Sequence, residues 1–227
     1  MCHKFDIMMC GMSNPKDGGV QMERIGLMGG SFNPIHIGHV NMARAALAGG
    51  YVDHVLFLPS GNPPHKKAGL EDKEERYAMT CLAIAGEERM AVSREEIDRE
   101  GVIYTVDTLT RLKEQMPEAE FFYLIGADTV HQLHTWRRAQ DVIALCSFLV
   151  MMRPGEEEEK TIAAIDDWCA KGAKMTLMQG RLHDVSSSEI RALLEDGKAA
   201  GELLSPAVLD YIRAHNLYNT GDSSETR

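Results

Sequence analysis

The segment Gly29-Gly30-Ser31-Phe32-Asn33-Pro34-Ile35-His36-Ile37-Gly38-His39 holds the residue types that phosphate chemistry needs. Two adjacent glycines let a backbone turn tightly and come close to a ligand. Asn33-Pro34 fixes a turn ahead of a helix. His36 and His39 lie three apart at the start of that helix, so both rings can share one face. Gly38 between them leaves room for a flat group against the backbone. Free amides at a helix N-terminus favour an anion. Together these features describe a phosphate site with two imidazole donors at the exit of a strand. Zinc would need a third or fourth ligand close by, and His65, His131 and His134 offer no tight ligand spacing.

A second group of such residues is Val185-Ser186-Ser187-Ser188-Glu189-Ile190-Arg191. Serines at a helix start cap free amides. Arg191 lies one turn on, where its fixed fork of donors can bend back to an anion. A plain helix cap followed by a surface arginine would read the same way. Between the two groups, Pro59-Ser60-Gly61-Asn62-Pro63-Pro64-His65-Lys66 is a loop stiffened by proline, to which His65 and Lys66 bring positive charge. An exposed basic loop is the simpler reading of that run. Thr105 and Asp107 precede a helix, where either is a natural cap. Asp128 closes Ile125-Gly126-Ala127-Asp128 at a strand end, and a carboxylate there suits the vicinal hydroxyls of a ribose. Eight residues later Trp136 offers a face for stacking a flat ring, or a place in the core.

Such groups need a scaffold that brings distant segments together. From Arg24 onward, short apolar runs alternate with helical patterns. Period and breaker residues predict strands at Arg24 to Met28, Asp53 to Leu58, Met90 to Ser93, Glu120 to Ile125, Ser147 to Met151 and Lys174 to Met178. They predict helices at Ile37 to Ala48, Glu71 to Ala85, Val106 to Gln115, within Glu157 to Ala170, at Ser187 to Glu195 and at Pro206 to His215. Strands separated by helices require crossover connections and therefore a mainly parallel sheet. The expected fold is α/β, a Rossmann-like doubly wound sheet with helices on both faces, whose ligands bind beyond the strands' carboxyl ends. Residues 1 to 21 show no steady period and read as a loose extension. Residues 22 to 218 read as one domain and residues 219 to 227 as a tail.

Composition narrows the function classes. The 44% hydrophobic and 26% charged residues suit a packed globular chain rather than a disordered one. A formal net charge of -10 argues against nucleic acid or an anionic membrane surface as partner, while a phosphate pocket needs only a few local donors. No run approaches the apolar length of a membrane span, about 20 residues. Five cysteines with no CxxC pair read as reduced thiols in the cytoplasm. The sequence leaves homo-oligomerisation open.

The first segment closely resembles the GG(T/S)F(D/N)PxHxGH signature of the HxGH nucleotidyltransferases, and VSSSEIR resembles their (I/V)SSTxIR motif. Asn33 stands where many relatives have Asp, and Ser188 where they have Thr. The run LPSGNPPHK resembles the LPxxxPPHK segment of bacterial nicotinate-mononucleotide adenylyltransferases. Glu96, Arg99, Gly101 and Tyr104 to Leu109, then Ile125 to Asp128, then Arg153-Pro154-Gly155 resemble further segments of that branch. The resemblance implies binding of ATP by Gly29, Gly30, Ser31, Phe32, His36, His39, Asp128, Ser187, Ser188 and Arg191. It implies binding of nicotinate mononucleotide by Asn33, His65, Lys66, Thr105, Trp136 and Arg137, with backbone amides near Thr105 and Arg137 reading the acid. Many relatives have Tyr in place of Arg137. His36, His39, Lys66 and Arg191 are the implied catalytic groups, with Mg2+ carried on the ATP phosphates and no protein ligand to it. The expected reaction gives deamido-NAD and pyrophosphate. The rivals are an HxGH transferase with another acceptor, such as nicotinamide mononucleotide or pantetheine phosphate, and a nucleotide-binding regulator without catalysis. A class I aminoacyl-tRNA synthetase also carries a His-Ile-Gly-His run, but this chain is short and acidic and shows no KMSKS-like segment.

Overall fold

The computed structural model describes residues 22–63, 69–181 and 183–218. His65, Lys66, the expected extension 1–21 and the expected tail 219–227 lie outside the described residues. Six strands form one parallel sheet: β1 (Arg24–Gly30), β2 (His54–Pro59), β3 (Met90–Val92), β4 (Glu120–Gly126), β5 (Ser147–Met152) and β6 (Met175–Arg181). Their order is β3-β2-β1-β4-β5-β6. The order reverses between β1 and β4, which is where a doubly wound sheet opens a crevice at its carboxyl edge.

The helices that cross between strands cover both faces. α1 (Ile37–Ala48), α2 (Lys73–Ala83), α7 (Ser187–Glu195) and α8 (Pro206–Ala214) lie on one side. α3 (Thr105–Gln115), α4 (Ala127–Gln132), α5 (Ala139–Leu145) and α6 (Glu158–Ala170) lie on the other. The strands alternate accordingly. Val55 and Phe57 of β2 join the first core with Met42, Met79 and Ile212, while Leu56 and Leu58 join the second with Leu109 and Val106. A strand buried on both faces reads as an unbroken apolar run, as β2 and β5 do. No helix of the described residues is long and apolar enough to cross a membrane.

All twelve expected elements are present, with shifted ends. β1 runs two residues past the expected Met28 because Gly29 and Gly30 keep their ladder with Leu58 and Pro59. α2 starts at Lys73 rather than Glu71, since the Asp72 carboxylate accepts from the Glu74 amide at 2.8 Å and caps the helix there. β6 extends to Arg181, which pairs with Met152 beyond an irregularity after Val150. α4, the 3-10 turn Leu133–Thr135 and α5 had no sequence signal: each is at most two turns, too short for a helical period, and Arg138 ahead of α5 has φ 54° with no side-chain cap.

The end of β1 shows why a glycine stands there. A Cβ on Gly29 would fall 1.9 Å from the Tyr123 hydroxyl oxygen of neighbouring β4. Gly29→Ala is therefore expected to lower unfolding free energy by about 1–3 kcal/mol. Adding Tyr123→Phe should restore part of that loss, which urea unfolding of the single and double variants measures.

Candidate active site

The cavity at this crevice holds about 340 Å³. Its wall takes Gly29 and Gly30 from the end of β1, Ser31 and His39 beyond it, Ser60 after β2, Ile125 and Gly126 from the end of β4, and Arg153 after β5. Its other side is built by Glu96, Tyr104, Thr105, Trp136 and Arg137. One space thus joins the glycine turn to a wall of flat and aromatic groups.

The turn from Ser31 to Ile37 is held from many directions. Arg76 of α2, with no exposed surface, donates through Nη1 to the Ser31 carbonyl at 2.7 Å, and its other nitrogens bond Gly61 O and Glu71 O at 3.1 and 3.0 Å. Arg191 of α7 donates through Nη1 to Asn33 O at 2.7 Å and through Nη2 to Ser188 Oγ at 3.2 Å. The Ser187 hydroxyl donates to Pro34 O at 2.9 Å. The Asn33 amide group donates to Gly69 O at 2.7 Å and accepts from the Glu71 amide at 3.1 Å and the Tyr218 hydroxyl at 2.9 Å. The Ile37 amide donates to Leu203 O at 3.0 Å. Phe32 is held at φ 45°, a left-handed conformation that disfavours a side chain. Its buried ring packs edge-on to His39 at 5.0 Å and against Phe57 at 5.9 Å.

The two histidines occupy different positions. His39 lines the cavity, and its Nδ1 accepts from the His36 amide at 3.4 Å, so in the neutral ring Nε2 carries the proton. His36 lies beneath it, 7% exposed, with ring centroids 3.8 Å apart. Burial, and then the positive charge of Arg153, push the His36 pKa down to about 4, so its ring is neutral at pH 7. Its Nδ1 is buried with no hydrogen-bond partner among the described residues. Gly38 is needed because a Cβ there would press on the His36 ring at 3.0 Å and on Val185 at 3.1 Å.

Of the residues expected from sequence, Gly29, Gly30, Ser31, His39, Thr105, Trp136 and Arg137 share the cavity wall. Phe32, Asn33 and His36 form the layer under it. Ser187 and Arg191 bind the turn, Ser188 accepts from Arg191, and none of the three lines the cavity. Asp128 stands beside it, accepting from Arg153 Nε at 3.1 Å. Thr105 opens α3 as its first residue, so neither it nor Asp107 is the cap, which is Tyr104. Trp136 packs edge-on to Tyr123 at 5.6 Å, and the Arg137 guanidinium lies over the Tyr104 ring at 4.6 Å.

Three groups escaped the sequence reading as site residues. Arg153 had a usable signal, since it directly follows a strand whose carboxyl end faces the crevice. Glu96 had only its place in a resembling segment. Arg76 had none, because a charged residue in a charged helix start looks solvated. Among the described residues no group of three or more His, Cys, Asp or Glu side chains could hold a metal ion.

The neutral state of His36 has a measurable cost in acid. Its folded pKa lies below the unfolded value, so the folded chain binds fewer protons between pH 6.5 and about 4 and loses stability as pH falls through that window. The loss should reach about 3 kcal/mol. Urea unfolding from pH 7 to 4 should show a shallower decline in His36→Gln than in the parent chain.

A family model described as cytidylyltransferase-like matches residues 27–193. A protein of Neisseria meningitidis serogroup B named "probable nicotinate-nucleotide adenylyltransferase" is 39% identical over 200 residues, covering 87% of this chain and 99% of its own. A protein of Gloeobacter violaceus with the same name is 40% identical over 199 residues, covering 87% and 97%. Among solved structures, Plasmodium falciparum nicotinic acid mononucleotide adenylyltransferase complexed with NaAD superposes with a TM-score of 0.70 over 86% of this chain and 97% of that one, at 20% identity. That last likeness speaks for the fold.

Proposed function

The chain belongs to the cytidylyltransferase-like family, with the nicotinate-nucleotide adenylyltransferases as its near relatives, and from that premise we infer that it transfers the adenylyl group of ATP to nicotinate mononucleotide, giving deamido-NAD and pyrophosphate. The observation that carries the reading within the site is the single cavity that runs from the Gly29-Gly30 turn and His39 to Thr105, Trp136 and Arg137. A triphosphate at the first end and a pyridine ring at the second place the two substrates' phosphates side by side.

The mononucleotide phosphate needs no strong base, because its second pKa is about 6. One of its oxygens attacks the α-phosphorus of ATP. The bond from that phosphorus to the oxygen bridging to the β-phosphate breaks, and pyrophosphate leaves with the electron pair. The protein's part is positioning and stabilisation of charge on the phosphoryl oxygens. His39 supplies an imidazole donor whose ring is fixed between Phe32 and His36. Arg153 adds a cation to the same wall. Arg191 acts first on the turn itself, and its remaining N–H groups are available to the triphosphate. The ring end offers Trp136 for stacking and the start of α3 for the carboxylate. Lys66, next to the proline loop, is proposed to reach the phosphates.

The donor set of the cavity fits phosphate oxygens rather than a protein cage for a metal, and Mg2+ fits as an ion carried on the triphosphate and water. When bound it would neutralise charge on the departing pyrophosphate.

The test is pyrophosphate release from ATP with a panel of phosphate acceptors. Nicotinate mononucleotide should give the highest kcat/KM, and release with no acceptor preference would overturn the assignment. His39→Ala should lower kcat by about 100-fold or more with an unchanged unfolding transition. Near-normal turnover in that variant would remove His39 from the mechanism.

A further inference from the structure

Glu96 is the acidic side chain in the cavity wall, and the reaction as described gives it no task. It stands with Tyr104, Thr105, Trp136 and Arg137, the groups that build the ring end. Ser60, whose hydroxyl oxygen is buried with no hydrogen-bond partner among the described residues, lines the same cavity. The Glu96 carboxyl accepts from the Thr108 hydroxyl of α3 at 2.8 Å and has no ion pair within the described residues. We propose that Glu96 is a specificity-determining residue, whose charge in the wall of the ring end sets how strongly the enzyme prefers nicotinate over nicotinamide mononucleotide. The inference rests on the adenylyl transfer assigned above.

The physical argument compares the two rings. Nicotinate and nicotinamide mononucleotides share ribose and phosphate and differ by one charge, a carboxylate against a neutral amide. An ionised Glu96 repels the carboxylate and leaves the amide almost untouched; a protonated Glu96 admits both and can donate a hydrogen bond to the carboxylate. The state of Glu96 is finely balanced. Burial pushes its pKa up to about 7, against the Thr108 hydroxyl, which favours the ion. The other charges that face it are Arg76 of α2, Arg99 and Glu95 of its own segment, and the buried Tyr123 hydroxyl of β4, which feels it in return. The two arginines favour the ion and Glu95 disfavours it. Arg137, in the same wall, attracts the carboxylate. Preference for the acid should therefore fall as pH rises through about 7, while the ring itself does not titrate.

The experiment is the ratio of kcat/KM for the two mononucleotides from pH 6 to 9. Taking the ratio cancels the shared phosphate pKa and every enzyme group that treats the two alike. The parent chain should lose about tenfold in acid-over-amide preference across that range. Glu96→Gln should hold the high preference at all pH values. Thr108→Val, which removes the hydrogen bond that favours the ion and nearly preserves volume, should move the midpoint to higher pH. It serves also if Glu96→Gln fails to fold. A flat ratio in the parent chain, or the same fall in Glu96→Gln, overturns the role of Glu96 while adenylyl transfer stands. If neither mononucleotide releases pyrophosphate at any pH, the assigned reaction fails and the inference with it.

Discussion

Three carbonyl oxygens, from Ser31, Gly61 and Glu71, converge on the buried guanidinium of Arg76, and the architecture of the site follows from that junction. A buried cation is costly unless its donors are all matched. Burial lowers the Arg76 pKa, which is the signature of that cost. Neutral carbonyls in three separate segments meet it. Each segment is thereby fixed relative to the others: the turn after β1, the loop after β2 and the approach to α2. The guanidinium's flat fork defines the angles as well as the distances, which a lysine's point charge would not.

On that base the turn after β1 is already fastened to the segments around it. Its amide groups and imidazoles do not need to be gathered by substrate, so little reorganisation accompanies the reaction. The division of labour between the histidines belongs to the same logic. His39 meets the cavity, and His36 is the dry surface on which it rests. Phe32 tolerates an unfavourable backbone angle because its ring closes the far side of His39. Side chains that a motif offers as ligand contacts, those of Ser187, Arg191 and Asn33, here tie the turn to α7, to the approach to α2 and to Tyr218.

That distinction marks what was legible in the sequence. Alternating apolar runs and helical periods carry the fold, since strands buried on two faces and helices packed on one leave strong patterns. The glycine turn with its paired histidines was legible because local geometry demands those residue types at that spacing. What a motif does not encode is direction. Asn33 has the chemistry to bind a ribose or a phosphate, yet Tyr218 and Glu71 use its side chain. Arg76 and Glu96 were hidden for a related reason: their roles come from burial, and burial of a charge is set by segments far away in the chain. The short helices α4 and α5 lack the length to show a period, although Trp136 and Arg137 of the cavity wall lie on the stretch between them.

The fastening of the turn by Arg191, Ser187 and Tyr218 spans 158, 153 and 185 positions of the chain. Contacts of that separation close late, after the entropy of the intervening loop has been lost. The sheet can assemble around a turn that is still loose, and Arg191, Ser187 and Tyr218 then fasten it. The firmness of the turn after β1 is thus set by hydrogen bonds from α7 and Tyr218, so it is gained when those segments dock rather than when the sheet forms.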